Sequence, residues 1–221
     1  KGHEAVVRAL MELGAHVKKA ADDGWTPLNI AAEKGHEMVV QALMELGVDV
    51  NKAVDDGATP LLVAVHRGHE MVVRALMELG ADVNKAVDTG ATPLFIATQN
   101  GREMVVRALM ELGADVNKAV DTGATPLFIA AQNGRETVVR ALIEADVDVN
   151  KAEDNGATPL YIAANNGHEA VVRALIELGA DVNQPTDNGW TPLAIAARQG
   201  HTAIVQILRD VVLVQMQHLS L

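Results

Sequence analysis

A proline recurs every 33 residues, at Pro27, Pro60, Pro93, Pro126, Pro159 and Pro192, with no insertion or deletion between copies. Each stands in the same local text: TPLNIAA, TPLLVAV, TPLFIAT, TPLFIAA, TPLYIAA and TPLAIAA. A fixed period of this length means one supersecondary unit stacked along a line, each copy burying its apolar face against the next. The period therefore decides the fold class before any propensity is counted. It also moves the functional question from a pocket to a surface. The chain is 49% apolar but only 2% aromatic, so its interior is predicted to be Ala, Val, Leu, Ile and Met, which suits thin layers of helices.

Residues Lys52–Asn84 show how one unit reads. Asp56-Gly57 is a turn signal, because glycine supplies a positive φ that other residues resist. Thr59 is placed to cap a helix and Pro60 fits its first position, where the missing N–H costs nothing. Leu61, Val63, Ala64 and Val65 predict a short first helix ended by Gly68. A second helix opens at His69-Glu70, with apolar residues at Val72, Val73, Leu76 and Leu79, and ends at Gly80. Ala81–Asn84 reads as an extended return to the next turn. Ala64 and Ala75 are small enough to let neighbouring helices approach to about 8 Å.

This text resembles the ankyrin repeat, whose T-P-L-H-x-A signature has the same period. The resemblance covers essentially the whole chain. It implies an all-α solenoid of stacked helix-turn-helix units, with short β-hairpin fingers at right angles to the paired helices. It also implies that ligands bind on the concave side, against fingertips and first helices. A single domain over 1–221 is expected, with a partial repeat at 1–18, repeats at 19–51, 52–84, 85–117, 118–150 and 151–183, and a C-terminal repeat at 184–221. The signature His is missing from every unit, replaced by Asn29, Leu62, Phe95, Phe128, Tyr161 and Ala194. The tie that imidazole provides in the family is expected to be mostly apolar here, with Asn29 and Tyr161 as the polar exceptions.

The chain begins in mid-repeat and without a Met, which reads as a fragment of something longer. At the other end ILRDVVLVQMQHLSL lacks the Gly that closes the other second helices. Terminal units of a solenoid need a polar outer face, yet Val211, Val212, Leu213, Val214 and Met216 are apolar. Either the extended helix folds back on the last unit, or further chain or a second copy covers it. Repeats 85–117 and 118–150 differ only at Thr98/Ala131, Met104/Thr137, Met110/Ile143, Leu112/Ala145, Gly113/Asp146 and Ala114/Val147. Such similarity marks recent duplication or deliberate design. A design would keep the signature His and a clean polar cap, which favours a natural, expanded array. Asp146 falls where the other copies have a left-handed Gly, so a local weak point is expected there.

The formal net charge of −11 opposes nucleic acid and anionic membranes as partners. With no cysteine there is neither a disulfide nor a zinc–cysteine site. No signal peptide or apolar run long enough to span a bilayer is visible. These features point to a reducing intracellular compartment, cytoplasmic with the nucleus left open. Ser220 is the only serine, so Ser and Cys nucleophiles have no centre, and no Gly-rich phosphate loop occurs. The His-Glu pairs at His3, His36, His69 and His168 lack a second His one turn on. They read as helix starts, since copies about 8–10 Å apart cannot share one zinc. No catalytic residue, metal or cofactor is expected.

Aspartates recur at Asp22, Asp55, Asp88, Asp121, Asp154 and Asp187, and in the first five fingers exposed pairs are expected with Lys19, Lys52, Lys85, Lys118 and Lys151. The alternative is an acidic comb that receives a basic peptide. All five aromatics, Trp25, Phe95, Phe128, Tyr161 and Trp190, flank the TPL motif, on the finger and first-helix side. Aromatics anchor interfaces; the alternative for Phe95, Phe128 and Tyr161 is that they merely fill the place of the lost His, and for the tryptophans that they instead shield the outer units. First helices end in Glu33-Lys34, His66-Arg67, Gln99-Asn100, Gln132-Asn133, Asn165-Asn166 and Arg198-Gln199, amides and charges able to bind an extended peptide backbone. The candidate partner-binding residues are thus Asp22, Trp25, Asp55, His66, Arg67, Phe95, Gln99, Asn100, Phe128, Gln132, Asn133, Tyr161, Asn165, Asn166, Trp190 and Arg198. They describe a non-catalytic scaffold for a protein or peptide, a basic one if the comb is used, on a groove of about 60 Å. A monomer is expected, with the apolar C-terminal helix as the place for any self-contact. Two other readings stay open: the substrate-recruiting arm of a larger enzyme, and an engineered binding scaffold.

Overall fold

The computed structural model describes residues 19–218 together with Ala9. The partial repeat expected over 1–18 and Ser220 lie outside the described residues, apart from Ala9. The chain divides into two compact units, 1–115 and 116–221. Unit 1 holds α1 (Pro27–Lys34), α2 (Glu37–Glu45), α3 (Pro60–Arg67), α4 (Glu70–Glu78), α5 (Pro93–Gln99) and α6 (Glu103–Glu111). Unit 2 holds α7 (Pro126–Gln132), α8 (Glu136–Ile143), α9 (Pro159–Asn166), α10 (Glu169–Glu177), α11 (Pro192–Gln199) and α12 (Thr202–His218). In each unit the first helix of a repeat packs on its second, first helices stack on first helices, and second helices on second helices. The result is two helical layers per unit, built from helix-turn-helix repeats as the sequence predicts.

The TPL motif works by capping. Thr26, Thr59, Thr92, Thr125, Thr158 and Thr191 are extended, and each hydroxyl accepts the N–H three residues on at 3.1–3.2 Å. The proline that follows occupies the first turn, where a donor would be orphaned in any case. The leucine of the motif fills the core: Leu28, Leu61, Leu94, Leu127 and Leu160 are at most 1% exposed. They meet Leu43, Leu76, Leu109, Leu142 and Leu175 of the second helices in the same buried layer, again at most 1% exposed. The second helices α2, α4, α6, α8 and α10 open with Glu in their first turn, where the helix dipole favours a carboxylate, and Arg one turn on pairs with it in α4, α6, α8 and α10.

Where the family's His stood, Leu62, Phe95 and Phe128 are buried and pack as apolar filler. Asn29 is not an inter-repeat tie. Its Oδ1 accepts from the backbone and hydroxyl of Thr26 in its own repeat. Polar ties run elsewhere. The Asn that ends a repeat accepts the backbone N–H of an Asp 31 residues on in four cases: Asn51 from Asp82, Asn84 from Asp115, Asn117 from Asp148 and Asn150 from Asp181, at 2.8–2.9 Å. The His that opens a second helix points its Nε2 at a carbonyl of the preceding first helix: His69 at Glu33, His168 at Gln132 and His201 at Asn165, at 2.9–3.0 Å. The helix-start reading of the His-Glu pairs thus holds for His36, His69 and His168, and the ring of the latter two also staples neighbours.

Four expectations need correcting. No strand occurs among the described residues. The fingers are tight turns, closed in repeat 52–84 by Val54 N–H to Ala58 O (3.0 Å) and Gly57 N–H to Val54 O (2.9 Å). A five-residue loop leaves no room for a ladder. The return Ala81–Asn84 is not fully extended, because Asp82 Oδ1 accepts from Asn84 N–H and bends the chain. Among the described residues no finger Lys pairs with a fingertip Asp. Lys85 and Lys151 instead donate to the carbonyls of Asn51 and Asn117, 34 residues back. Finally, α12 runs on as one helix to His218 and does not fold back, leaving Leu213 and Val214 57% and 52% exposed.

Asp146 also departs from expectation, since among the described residues none other than glycine has a positive φ. The chain avoids the strain by ending α8 at Ile143. The cost appears in hydrogen bonds. In unit 2, Ala180 N–H reaches back to Leu175 O at 3.0 Å, whereas the equivalent Val147 N–H turns to Ala145 O at 2.8 Å. The closing bond of the helix is lost, and amides of Leu142–Val149 are expected to exchange with deuterium faster than those of Leu175–Val182. Equal protection would show that the altered turn is no weaker.

The His staple yields a second expectation. Gly167 and Gly179 have similar left-handed φ values, +79° and +81°. A Cβ on Gly167 would lie 2.7 Å from His201 Cε1, while one on Gly179 meets nothing within 4 Å. Gly179→Ala should cost only backbone strain, about 1 kcal/mol. Gly167→Ala should cost about 1 kcal/mol more, because it also displaces His201 from Asn165 O. Urea unfolding of the two variants measures the difference, and equal losses would remove the staple from the account.

Candidate functional site

The site follows from one difference between copies. In repeat 19–51 the residue before Thr-Pro is Trp25, held by its carbonyl accepting from Ala21 N–H (2.8 Å) and its own N–H on Asp23 Oδ1 (3.1 Å). In the next repeat the equivalent residue is Ala58, shaped by the same turn, with its N–H on Asp56 Oδ1 at 3.0 Å. A large side chain beside a small one leaves a step, and the step is a cleft of about 260 Å³. Its walls are Trp25, Asp56, Ala58 and Val87 from three successive fingers, with Leu62, Val63, His66 and Arg67 of α3 and Ile96 of α5. The cleft thus lies between fingers and first helices, wholly within unit 1.

Charge is arranged at its two ends. Asp56 lines the finger end, and exposed Asp22 and Asp55 stand on the same fingertips. His66 and Arg67 stand exposed at the helix end. Arg67 also pairs with Glu33 of the previous first helix, and Lys34 Nζ lies 3.1 Å from the other Glu33 oxygen. Hydrogen bonds from Lys34 first, and then from Arg67, hold the Glu33 carboxyl below its usual value of 4.5. Exposed ion pairs of this kind are weak, so Arg67 is available to a ligand carboxylate.

Of the residues singled out in the sequence, the cleft brings together Trp25, His66 and Arg67. Asp22 and Asp55 are exposed on the fingertips and do not line it. Phe95 is only 7% exposed and Phe128 only 2%. Both are core side chains, which removes them as surface anchors. Gln99 is exposed and Asn100 half-buried at the end of α5. In unit 2 the amides engage each other: Asn166 donates to Gln132 O (2.9 Å), Asn165 to Asn166 Oδ1 (2.8 Å) and Gln199 to Asn165 Oδ1 (3.0 Å). Asn133 is exposed and Tyr161 half-buried. Trp190 is half-buried under the Arg198 guanidinium, 5.0 Å from the ring centroid, a cation–π contact. Sequence reading missed the apolar walls Leu62, Val63, Val87 and Ile96. Their signal was present, since the fourth helical residue is Ile or Val in each repeat: Ile30, Val63, Ile96, Ile129, Ile162 and Ile195.

Among the described residues no cluster of His, Asp and Glu is placed to hold a metal ion, and no helix is long and apolar enough to cross a membrane. What the geometry offers is contact: an apolar step with acid at one end and base at the other.

Comparison with known proteins assigns the class. The model describing ankyrin repeats in three copies matches residues 1–87, 46–120, 85–153 and 127–215, and the chain belongs to the ankyrin repeat family. Domains of this family are typically protein–protein interaction modules. Of the solved structures, the crystal structure of the human ASB11 ankyrin repeat domain is similar at 33% identity. The similarity covers 84% of this chain and 83% of that one, with a TM-score of 0.75. No curated protein matches. Matching solved chains number 622, so the fold alone does not select a partner.

The Glu33 arrangement can be checked by titration. A carboxyl with a depressed folded-state pKa contributes stability above its unfolded value, and that contribution is lost as pH falls through the folded value. Carbon-detected NMR titration should place Glu33 below ordinary glutamates, and Arg67→Ala should move it back toward 4.5 while Lys34 keeps it from returning fully. A Glu33 midpoint unchanged by Arg67→Ala would remove the arginine from the site's electrostatics.

Proposed function

We propose that this ankyrin repeat domain is a non-catalytic scaffold that binds an extended segment of a partner protein in the unit 1 groove. The observation that carries the reading is the cleft beside Trp25, which joins fingers and first helices of successive repeats. An apolar side chain of the partner fits between the indole and the Leu62, Val63 and Ile96 wall. Burying such a side chain contributes about 1.5–3 kcal/mol. Basic residues on one side of that anchor face Asp22, Asp55 and Asp56, and an acidic group on the other faces His66 and Arg67. The net charge of −11 speeds encounter with a basic partner and makes that encounter salt-sensitive.

The test is residue-specific photocrosslinking in the full chain. A benzophenone amino acid at Ala58 should crosslink a partner protein, whereas the same group at Thr137, on a second helix of unit 2, should not. Trp25→Ala should weaken capture about tenfold or more, as removal of a central aromatic does. Capture that is unchanged by Trp25→Ala, or that crosslinks equally from position 137, would place binding elsewhere.

A further inference from the structure

The second helices of unit 1 carry a feature that the fold does not require. Met38, Met71 and Met104 occupy the same position of α2, α4 and α6 and are 52%, 58% and 57% exposed. The helices pack side by side in that order, so the three thioethers form a row across the outer layer, opposite the first helices. Unit 2 supplies the internal control. At the equivalent positions of α8, α10 and α12 stand Thr137, Ala170 and Ala203, all exposed. The architecture is built there without large apolar groups on its outside, and solvation alone would favour their absence. Methionine is also the apolar side chain that best adapts to a partner's surface.

Charge and spacing identify an occupant. Together α2, α4 and α6 carry six glutamates and two arginines. The arginines are already engaged, Arg74 with Glu70 and Glu111, and Arg107 with Glu103. The row is therefore flanked by surplus carboxylates, which oppose an anionic membrane and attract a cation-bearing partner. Helices packed at about 8–10 Å place successive methionines about two helical turns apart, since two turns rise about 11 Å. A helix laid across the row meets them with residues i, i+7 and i+14, all on one face.

We propose that the outer face of unit 1 is a second docking surface, and that it receives a basic amphipathic helix lying across α2, α4 and α6. The surface is separate from the groove at Trp25 and does not depend on it.

The test uses the full chain with methyl-labelled methionine and a synthetic Leu/Lys/Ala helix of about 20 residues, its leucines at i, i+7 and i+14. The peptide should shift the ε-methyl signals of Met38, Met71 and Met104, and a counterpart with Glu for Lys should not. Met38→Thr, Met71→Ala and Met104→Ala together install the residues of unit 2 and leave every charge in place. That variant, checked for unchanged helicity, should lose about tenfold or more in affinity. Trp25→Ala should leave peptide binding unchanged, so failure here is distinguishable from failure of the groove. The proposal is overturned if the triple variant binds equally, if the Glu peptide binds as well, or if the shifts fall on other methionines. It is also overturned if the three signals shift with protein concentration alone, which would make the face a contact between copies.

Discussion

Everything in this molecule depends on contacts between a residue and the one about 33 positions further along. A single turn-helix-helix unit cannot bury its own apolar face. Leu61 and Leu94 are fully buried because helices of adjacent repeats cover them. Leu193, in the last described repeat, has a neighbour on one side and is only half-buried. The register is held by polar pins set in the same frame, the Asn side chains on backbone amides 31 residues ahead and the His rings on carbonyls 36 behind. An insertion of one residue between Asn84 and Asp115 would misplace both pin and core together, which accounts for the spacing holding across six copies.

That dependence decides what could be read from the sequence. Caps, turns and helix ends are local, and Thr59, Pro60, Gly57 and Gly68 state them outright. The polar pins were hidden because each joins residues in different copies. Asn84 looks like a loop residue until its partner at Asp115 is seen, although its recurrence at every repeat end was a signal. The His that opens the second helix, one loop after the place of the lost signature His, makes a tie of its own to a carbonyl of another copy. Asp146 differs for a related reason: a left-handed Gly in four repeats does not compel a left-handed residue in a fifth, when the helix can stop one residue early.

The site was legible in part. Trp25 stood out because Ala58 and Ala91 occupy the same place, and that inequality is what opens the cleft. Phe95 and Phe128 stood out equally and are buried. Position relative to the TPL motif separates them from Trp25 only once the stack is known: the residue before Thr-Pro lies on the finger, while Phe95 and Phe128, after the Leu, are buried. Burial between neighbours is a property of the stack, and a single repeat does not display it.

The two nearly identical repeats show where such a frame leaves room to change. Between 85–117 and 118–150 the finger and first helix are the same through Ala97 and Ala130, and in that half only Thr98 and Ala131 differ. The other differences fall on the second helix and the turn that ends it, from Met104 against Thr137 to Ala114 against Val147. Core leucines, caps and pins are the same in both copies, and apart from the buried Thr98/Ala131 pair the differences fall on the second helix or on the turn that closes it. The methionine row ends at this boundary, at Met104 in one copy and Thr137 in its twin. The repeat that carries the last methionine and the repeat that lacks it share the same finger and nearly the same first helix, so the difference between them bears on the outer face far more than on the groove.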